Sequence, residues 1–152
     1  MSGIKYGAGY LRNRVEKMVG STFWVKKTMI SSAVVQTPAA DLTGVSTIGE
    51  LALEDIIIKS DATGLATGTN IEIKTNNAKG ILAAMVTIVS GLGGAVKSVD
   101  LINASVSHQQ TILEVGKKLT INSTAADCDG SGTVDIYMKF RRLTREAAIA
   151  AA

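Results

Sequence analysis

The sequence contains one cysteine, one histidine and one proline, and only 4% of its 152 residues are aromatic. The single cysteine, Cys128, excludes an internal disulfide framework, so packing or partner proteins must stabilise the fold, and a reducing compartment suits it. A zinc site needs several Cys or His ligands, which one residue of each type cannot supply. The longest apolar run, residues 81–89, is far shorter than the roughly 20 residues of a membrane helix, so no membrane partner is expected.

Catalytic residue types are equally scarce. His108 has Ser105 and Ser107 near it, but no Gly-x-Ser-x-Gly turn is present to position a nucleophile. The run at 91–98 resembles a phosphate-binding loop, but Val96 stands where that motif requires glycine. We therefore expect no enzymatic activity, no cofactor and no small-molecule substrate.

Hydrophobic residues form 46% of the chain and charged residues 19%, a balance typical of one folded domain rather than a disordered chain. Ala, Val, Ile, Leu and Thr supply the apolar side chains, which favours β-strands. Eight to ten short strands separated by turn residues predict an all-β fold, a β-sandwich of jelly-roll-like type. The predicted strands are 23–31, 34–37, 53–59, 70–75, 81–89, 97–101, 105–108, 111–115, 118–122 and 133–143.

Two of these segments alternate apolar and polar residues. Ile71 and Ile73 alternate with charged residues in the first, and Val134, Ile136 and Met138 alternate with polar residues in the second. This period of two predicts strands with one buried and one wet face. The last eight residues, 145–152, are rich in alanine and predict a helix that frays.

The first 22 residues differ from the rest and are predicted to form a basic N-terminal arm, followed by the sandwich at 23–143 and an Ala-rich tail at 144–152. Apolar residues in the arm follow the spacing of one short helix that Gly20 would end. Such a short helix is marginal alone and should dock on a surface. The apolar residues of this helix are Tyr10, Leu11, Val15, Met18 and Val19.

Charge is distributed unevenly along the chain. Residues 1–27 contain six basic residues and one acidic residue, a balance of +5, and residues 139–152 carry +3. The body at 28–138 has six basic and eleven acidic residues, a balance of −5. The cationic ends are either solvated tails or surfaces that attract the acidic body of a neighbour. Nucleic acid is not an expected partner, because the basic residues are few and no recognition helix is present.

The arm supplies the candidate protein interface, because aromatic residues, Met and Arg are enriched at the centres of interfaces. The alternative is that Phe23 and Trp24 fill the core of their own domain. The candidate interface residues are Tyr6, Tyr10, Leu11, Arg12, Arg14, Met18, Phe23 and Trp24.

One acidic stretch partly follows a calcium-binding loop. Asp127, Asp129 and Asp135 occupy positions 1, 3 and 9 of the template, but Met138 stands where a bidentate Glu is required. The flanking segment 133–143 also alternates like a strand, whereas the template requires a helix. A tight hairpin, in which Asp and Gly satisfy the turn backbone, is therefore the favoured interpretation, and no metal is expected.

Several stretches together resemble small β-sandwich proteins of tailed bacteriophages. They are Asp-Ala-Thr-Gly-Leu-Ala-Thr-Gly-Thr-Asn at 61–70 with the following 72–80, Ile-Leu-Glu-Val-Gly-Lys-Lys-Leu-Thr at 112–120, and Asp-Cys-Asp-Gly-Ser-Gly-Thr-Val-Asp-Ile-Tyr at 127–137 continuing to Arg142. Over 51–143 the chain is most similar to capsid decoration, or cement, proteins.

This resemblance implies a structural virion protein that forms a homotrimer or similar cluster on the outer capsid. Its partners would be the major capsid protein and further copies of itself, and an arm would reach between coat subunits. Two other classes remain open. A tail tube or head-tail joining protein would form rings of six, and a carbohydrate-binding jelly roll would need exposed aromatic residues on loops.

Overall fold

A computed structural model describes residues 18–44, 46–63, 71–75, 96–100, 112–123 and 126–149, with side chains for all of these except 46, 47 and 96–100. Within these ranges the chain forms β-strands and one 3₁₀ turn, Ser31–Ala33, and no α-helix. This confirms the predicted all-β class. The strands are β1 Thr22–Ile30, β2 Ala40–Asp41, β3 Ser46–Ile48, β4 Leu51–Ser60, β5 Ile71–Thr75, β6 Val96–Asp100, β7 Ile112–Leu113, β8 Leu119–Ser123, β9 Thr133–Arg142 and β10 Ala148–Ile149.

The strands form a sandwich from two main sheets and one small one. The larger sheet has the order β1-β9-β4-β6, with β7 also paired to β4, and the second sheet has the order β2-β8-β5. Strands β3 and β10 form a separate two-stranded sheet. Every pairing is antiparallel, so the sheets can bury one face and leave the other in water.

Strand β9 lies at the centre of the larger sheet. It pairs along its length with β1 on one side and with β4 on the other. Val134, Ile136, Met138 and Phe140 are buried, whereas the residues between them are half-buried on the opposite face. The predicted alternation of this strand is therefore confirmed.

The second sheet closes the core from the other side. Ile71 and Ile73 of β5 and Leu119 and Ile121 of β8 are buried in the same apolar cluster as the inner face of β9. The alternation predicted for β5 is confirmed, since Glu72 and Lys74 lie on its half-buried face. Each fully buried Leu or Ile contributes about 1.5–3 kcal/mol through removal from water.

The strand predicted at 34–37 is wrong. Val34 follows the 3₁₀ turn and is buried, and its carbonyl oxygen accepts a hydrogen bond from Cys128 N at 2.9 Å. Val35 O accepts from Ser123 N at 3.0 Å, and Gln36 N donates to Asp127 Oδ1 at 2.6 Å. The backbone of this segment therefore binds the connection between β8 and β9 instead of joining a sheet.

The hairpin predicted around Asp127 is also wrong, because the two strands that flank it belong to different sheets. Strand β8 pairs with β2 and β5, while β9 pairs with β1 and β4. The segment is thus a crossover between the sheets, with Gly130 in the left-handed backbone region at φ 81°. Gly130 provides the turn backbone as predicted, but the Asp127 carboxylate accepts from the distant Gln36 N and not from its own turn, and the pairing of the strands also depends on distant residues.

The C-terminal helix predicted at 145–152 is contradicted over its described part. Ala148 and Ile149 form β10 against β3, and Ala147 is fully buried. Arg142 Nε donates to Ala147 O at 2.9 Å, which holds the returning chain against the end of β9. Alanine is a helix former, but burial and these backbone contacts outweigh its propensity here.

The remaining strand predictions agree with β1, β4, β6, β7 and β8 to within a few residues, as expected for strand ends. The strands predicted at 81–89 and 105–108 lie outside the described residues. The boundaries predicted for the arm, the sandwich and the tail stay predictions.

Replacing Gly49 with alanine tests the docking of the C-terminal strand. Gly49 has a φ of 66°, and a Cβ added there would overlap Thr144 Oγ1, which accepts a hydrogen bond from Glu50 N at 2.9 Å. We expect Gly49→Ala to lower the free energy of unfolding by about 2–4 kcal/mol, measured by chemical denaturation.

Gly116→Ala is the matched control. Gly116 has a φ of 75° but open space around its Cα, so only the cost of the left-handed conformation applies, about 1 kcal/mol. Equal losses in the two variants would contradict the close contact between Gly49 and the C-terminal segment.

Candidate interface surface

Three of the eight candidate interface residues lie in the described part of the chain. Met18 is 54% exposed and Trp24 is 49% exposed on the outer face of β1. Phe23 is half-buried and packs against the core, with its ring centroid 5.7 Å from that of Phe140 and the Arg142 guanidinium 4.3 Å above it. The other five, Tyr6, Tyr10, Leu11, Arg12 and Arg14, lie outside the described residues.

Four segments of the chain meet at one end of the larger sheet. Arg142 N donates to Ser21 O at 2.9 Å, and Leu51 lies opposite both Arg142 and Leu113. Strand β4 therefore begins in the row in which β7 and β9 end, and Ser21, directly before β1, lies in the same row. We call this the arm end, and it comprises this row together with residues 18–20, 48–50, 114–116 and 143, which extend beyond it.

The arm end carries most of the large apolar side chains that are exposed in the described part of the chain. Only Trp24, three rows inside the sheet, and Ile30, 45% exposed at the opposite end, lie elsewhere. An apolar group gathered at one end and not scattered is typical of a protein contact surface. The four at the arm end are Met18 at 54%, Val19 at 62%, Ile48 at 51% and Val115 at 56% exposure.

Sequence reasoning found Met18 but missed Ile48 and Val115. Each of these two residues directly precedes a glycine in the left-handed backbone region, Gly49 and Gly116. A large apolar residue directly before a glycine and between polar residues is the signal that could have identified them. Their position at the same end of the sheet as Met18 could not be predicted, because it depends on the pairing of β4 with both β7 and β9.

The outer face of the larger sheet is covered with paired charges. Lys26 Nζ lies 3.3 Å from Asp135 Oδ2 and 5.5 Å from the centre of the Tyr137 ring. Glu54 pairs with Arg141 at 2.7 Å and with Lys139 at 3.8 Å. These pairs are partly exposed and contribute little stability individually, but they keep this face in water.

The surroundings of Asp135 on this face shift its pKa. Thr28 Oγ1 donates to Asp135 Oδ1 at 2.6 Å, and this hydrogen bond to the carboxylate, with the nearby Lys26 ammonium, lowers the pKa of Asp135 below its ordinary value. The Asp135 carboxylate in turn raises the pKa of Lys26. Both shifts stabilise the charged forms.

The candidate calcium ligands are engaged in different parts of the sandwich. Asp127 Oδ1 accepts from Gln36 N at 2.6 Å beside the crossover, whereas Asp135 binds Thr28 and Lys26 on the outer face. Asp129 precedes the left-handed Gly130. Within the described ranges, no three His, Cys, Asp or Glu residues come together in a group that could hold a metal ion. Nor is any helix in those ranges long and apolar enough to cross a membrane.

Comparison with solved structures shows where this fold occurs elsewhere. The chain is similar to a chain of the capsid of Ralstonia phage GP4, with a TM-score of 0.50 and 14% identity over 82% of this chain and 86% of that one. At this identity the likeness shows a shared fold.

Two further solved structures align at lower scores. A chain of the Cyanophage Pam1 capsid asymmetric unit gives a TM-score of 0.46 and 11% identity over 93% of this chain and 92% of that one. A chain of the acidic stable capsid of Helicobacter pylori bacteriophage KHP30 gives a TM-score of 0.46 and 9% identity over 88% of this chain and 97% of that one. No family model matches the chain, and no curated protein matches it significantly.

The pH dependence of the outer face provides a test of its geometry. A carboxyl whose pKa is lowered by folding adds stability above its ordinary pKa and loses it as the pH falls through the lowered value. An NMR titration should therefore place the midpoint of the Asp135 carboxyl below the ordinary 3.8, and Thr28→Val should raise it toward that value. As the pH falls from 3.8 through the lowered pKa of Asp135, the free energy of unfolding should also decrease less in Thr28→Val than in the wild type.

Thr22→Val is the control, because Thr22 is an exposed threonine of the same strand that lies opposite Arg141 and away from Asp135. In Thr22→Val the titration midpoint of the Asp135 carboxyl should equal that of the wild type. Identical midpoints in the two valine variants would show that the hydrogen bond from Thr28 does not set the Asp135 pKa.

Proposed function

We propose that this chain is a structural protein of a phage head, and more specifically a decoration (cement) protein that binds the coat lattice as an oligomer, with no enzymatic step. This proposal is supported by the arm end, where exposed apolar residues from three separate segments lie at the end of the sheet at which the predicted basic arm enters β1. Such a surface is suited to binding protein and offers no chemistry of its own.

The likeness of the fold to a capsid chain of Ralstonia phage GP4 supports the same proposal. A sandwich of this kind can stand on a shell as a rigid body, while a Gly-spaced arm orders as it binds and links neighbouring subunits. The surface we propose consists of Met18, Val19, Ile48, Val115 and the nearby Trp24. Tyr6, Tyr10, Leu11, Arg12 and Arg14 are proposed to extend it along the arm.

Charge supports an assembly in which copies meet one another. The arm and the C-terminal segment are cationic, and the body between them is acidic. Opposite signs on one chain steer neighbouring copies toward arm-to-body contact, an attraction that salt weakens. We propose a homotrimer on the outside of the coat, located in the virion.

Serine substitutions at the arm end test the proposal. We expect the combined variant Met18→Ser, Val19→Ser, Ile48→Ser and Val115→Ser to bind at least about tenfold more weakly to phage heads assembled without this chain, because the apolar area that binding would bury is lost. Co-sedimentation with the heads measures this. The melting temperature should stay close to that of the wild type, since all four side chains are exposed.

Ile30→Ser is the matched control, because Ile30 is a similarly exposed apolar residue at the opposite end of the same sheet. It should bind heads as the wild type does. Wild-type binding by the combined variant, or an equal loss in Ile30→Ser, would contradict a contact surface at the arm end. Native mass spectrometry of the purified protein should show a trimer. A mass of six copies would favour a ring, as expected for a tail tube or head-tail joining protein.

A further inference from the structure

Strand β1 is an edge strand with a regular set of outward backbone groups. In the described part of the chain it pairs with β9 alone. Ser31 N donates to Gly132 O at 2.7 Å, and Arg142 N donates to Ser21 O at 2.9 Å, so the odd-numbered residues of this segment bond to β9. Because antiparallel pairs alternate, the N–H and C=O groups of the even-numbered residues point away from β9.

Those outward groups belong to Thr22, Trp24, Lys26 and Thr28, and none of them has a backbone partner among the described residues. Nine strand residues at about 3.3 Å each give an edge of about 30 Å. An edge of this length can accept a further strand, from a partner or from an unwanted neighbour.

Lys27 makes this edge selective. Its side chain lies on the core-facing side of β1, is half-buried, and has no ion-pair or hydrogen-bond partner in the described part of the chain. A lysine that points inward from an edge strand opposes indiscriminate pairing, because an incoming apolar strand would bury its charge.

A cleft of about 650 Å³ opens beside Lys27, between β1 and the edge of the second sheet. Lys118 and Asp41 also line it, and the Lys118 ammonium lies 2.8 Å from an Asp41 oxygen. The one carboxylate of this lining, that of Asp41, is thus already paired with a lysine. A carboxylate that neutralises Lys27 would therefore have to come from a bound partner.

We propose that β1 and this cleft bind an extended acidic strand of a partner protein, whose carboxylate pairs with Lys27. A residue opposite Lys27 on an added strand would occupy a non-hydrogen-bonded pair, in which Cα atoms approach to about 4.5 Å and side chains are close. Val25 and Met29, on the same face as Lys27, would contact apolar residues two positions either side of the carboxylate.

A second copy of this chain is a poor occupant of the edge. β1 carries Lys26 and Lys27 and no acidic residue, so two β1 strands side by side would place like charges together. The inference rests on the proposed function for the identity of the partner, which would be a coat protein, but the docking chemistry can be tested without it.

The test uses two synthetic peptides and the full-length protein. One is acetyl-Thr-Val-Thr-Glu-Thr-Val-Thr-amide, and the other has Lys in place of Glu. With the Glu peptide at half saturation, the amides of Trp24, Lys26 and Thr28 should exchange with solvent about twofold more slowly, because only free molecules exchange. The amides of Val25 and Lys27, already bonded to β9, should not change, and the Lys peptide should give no effect.

Lys27→Gln should weaken binding of the Glu peptide about fivefold, while Lys59→Gln, which removes the same charge from the outer face of β4, should leave it unchanged. Equal binding of both peptides would overturn the proposal. Slow exchange of the outward amides in the protein without peptide would also overturn it. Protection that disappears on dilution would indicate that a second copy occupies the edge, and protection that persists would indicate that the chain itself does. Failure to bind phage heads would overturn the proposed function and leave this result standing.

Discussion

The pairing of β9 on both sides is the constraint on which the rest of this structure depends. Its inner side chains form the centre of the core, and its outer side chains form the charged face, so one strand separates a dry side from a wet side. A shift of one residue in its register would exchange the two faces, which makes the register strongly specified. The positions of β1, β4 and the arm end all follow from it.

The same arrangement leaves two surfaces that the sandwich does not use for its own stability. One is the arm end, where exposed apolar residues lie beyond the last row of the larger sheet. The other is the outward side of β1, where backbone groups and Lys27 have no partner in the described part of the chain. The first is suited to apolar contact and the second to backbone pairing with a charged strand, so they can bind two parts of one lattice. An interface divided in this way gains avidity when both sites are engaged.

Much of the fold could be predicted from local pattern, because alternation in 71–75 and 133–142 reports burial directly. The errors arose where distant residues decide the structure. Val34 and Gln36 bond to the β8–β9 crossover, and Ala147 is buried beneath the end of β9, so neither segment follows its own propensity. For the site, the composition of the arm indicated Met18 and Trp24. Ile48 and Val115 could not be placed at the same end of the sheet as Met18 without knowledge of the pairing of β4.

A cryo-electron microscopy reconstruction of phage heads assembled with and without this chain tests the central claim most directly, since it shows whether and how the sandwich sits on the shell. We expect additional density for the sandwich on the outer surface, with Met18, Ile48 and Val115 against the coat. Identical reconstructions, or density in which the opposite end with Ile30 faces the coat, would contradict it.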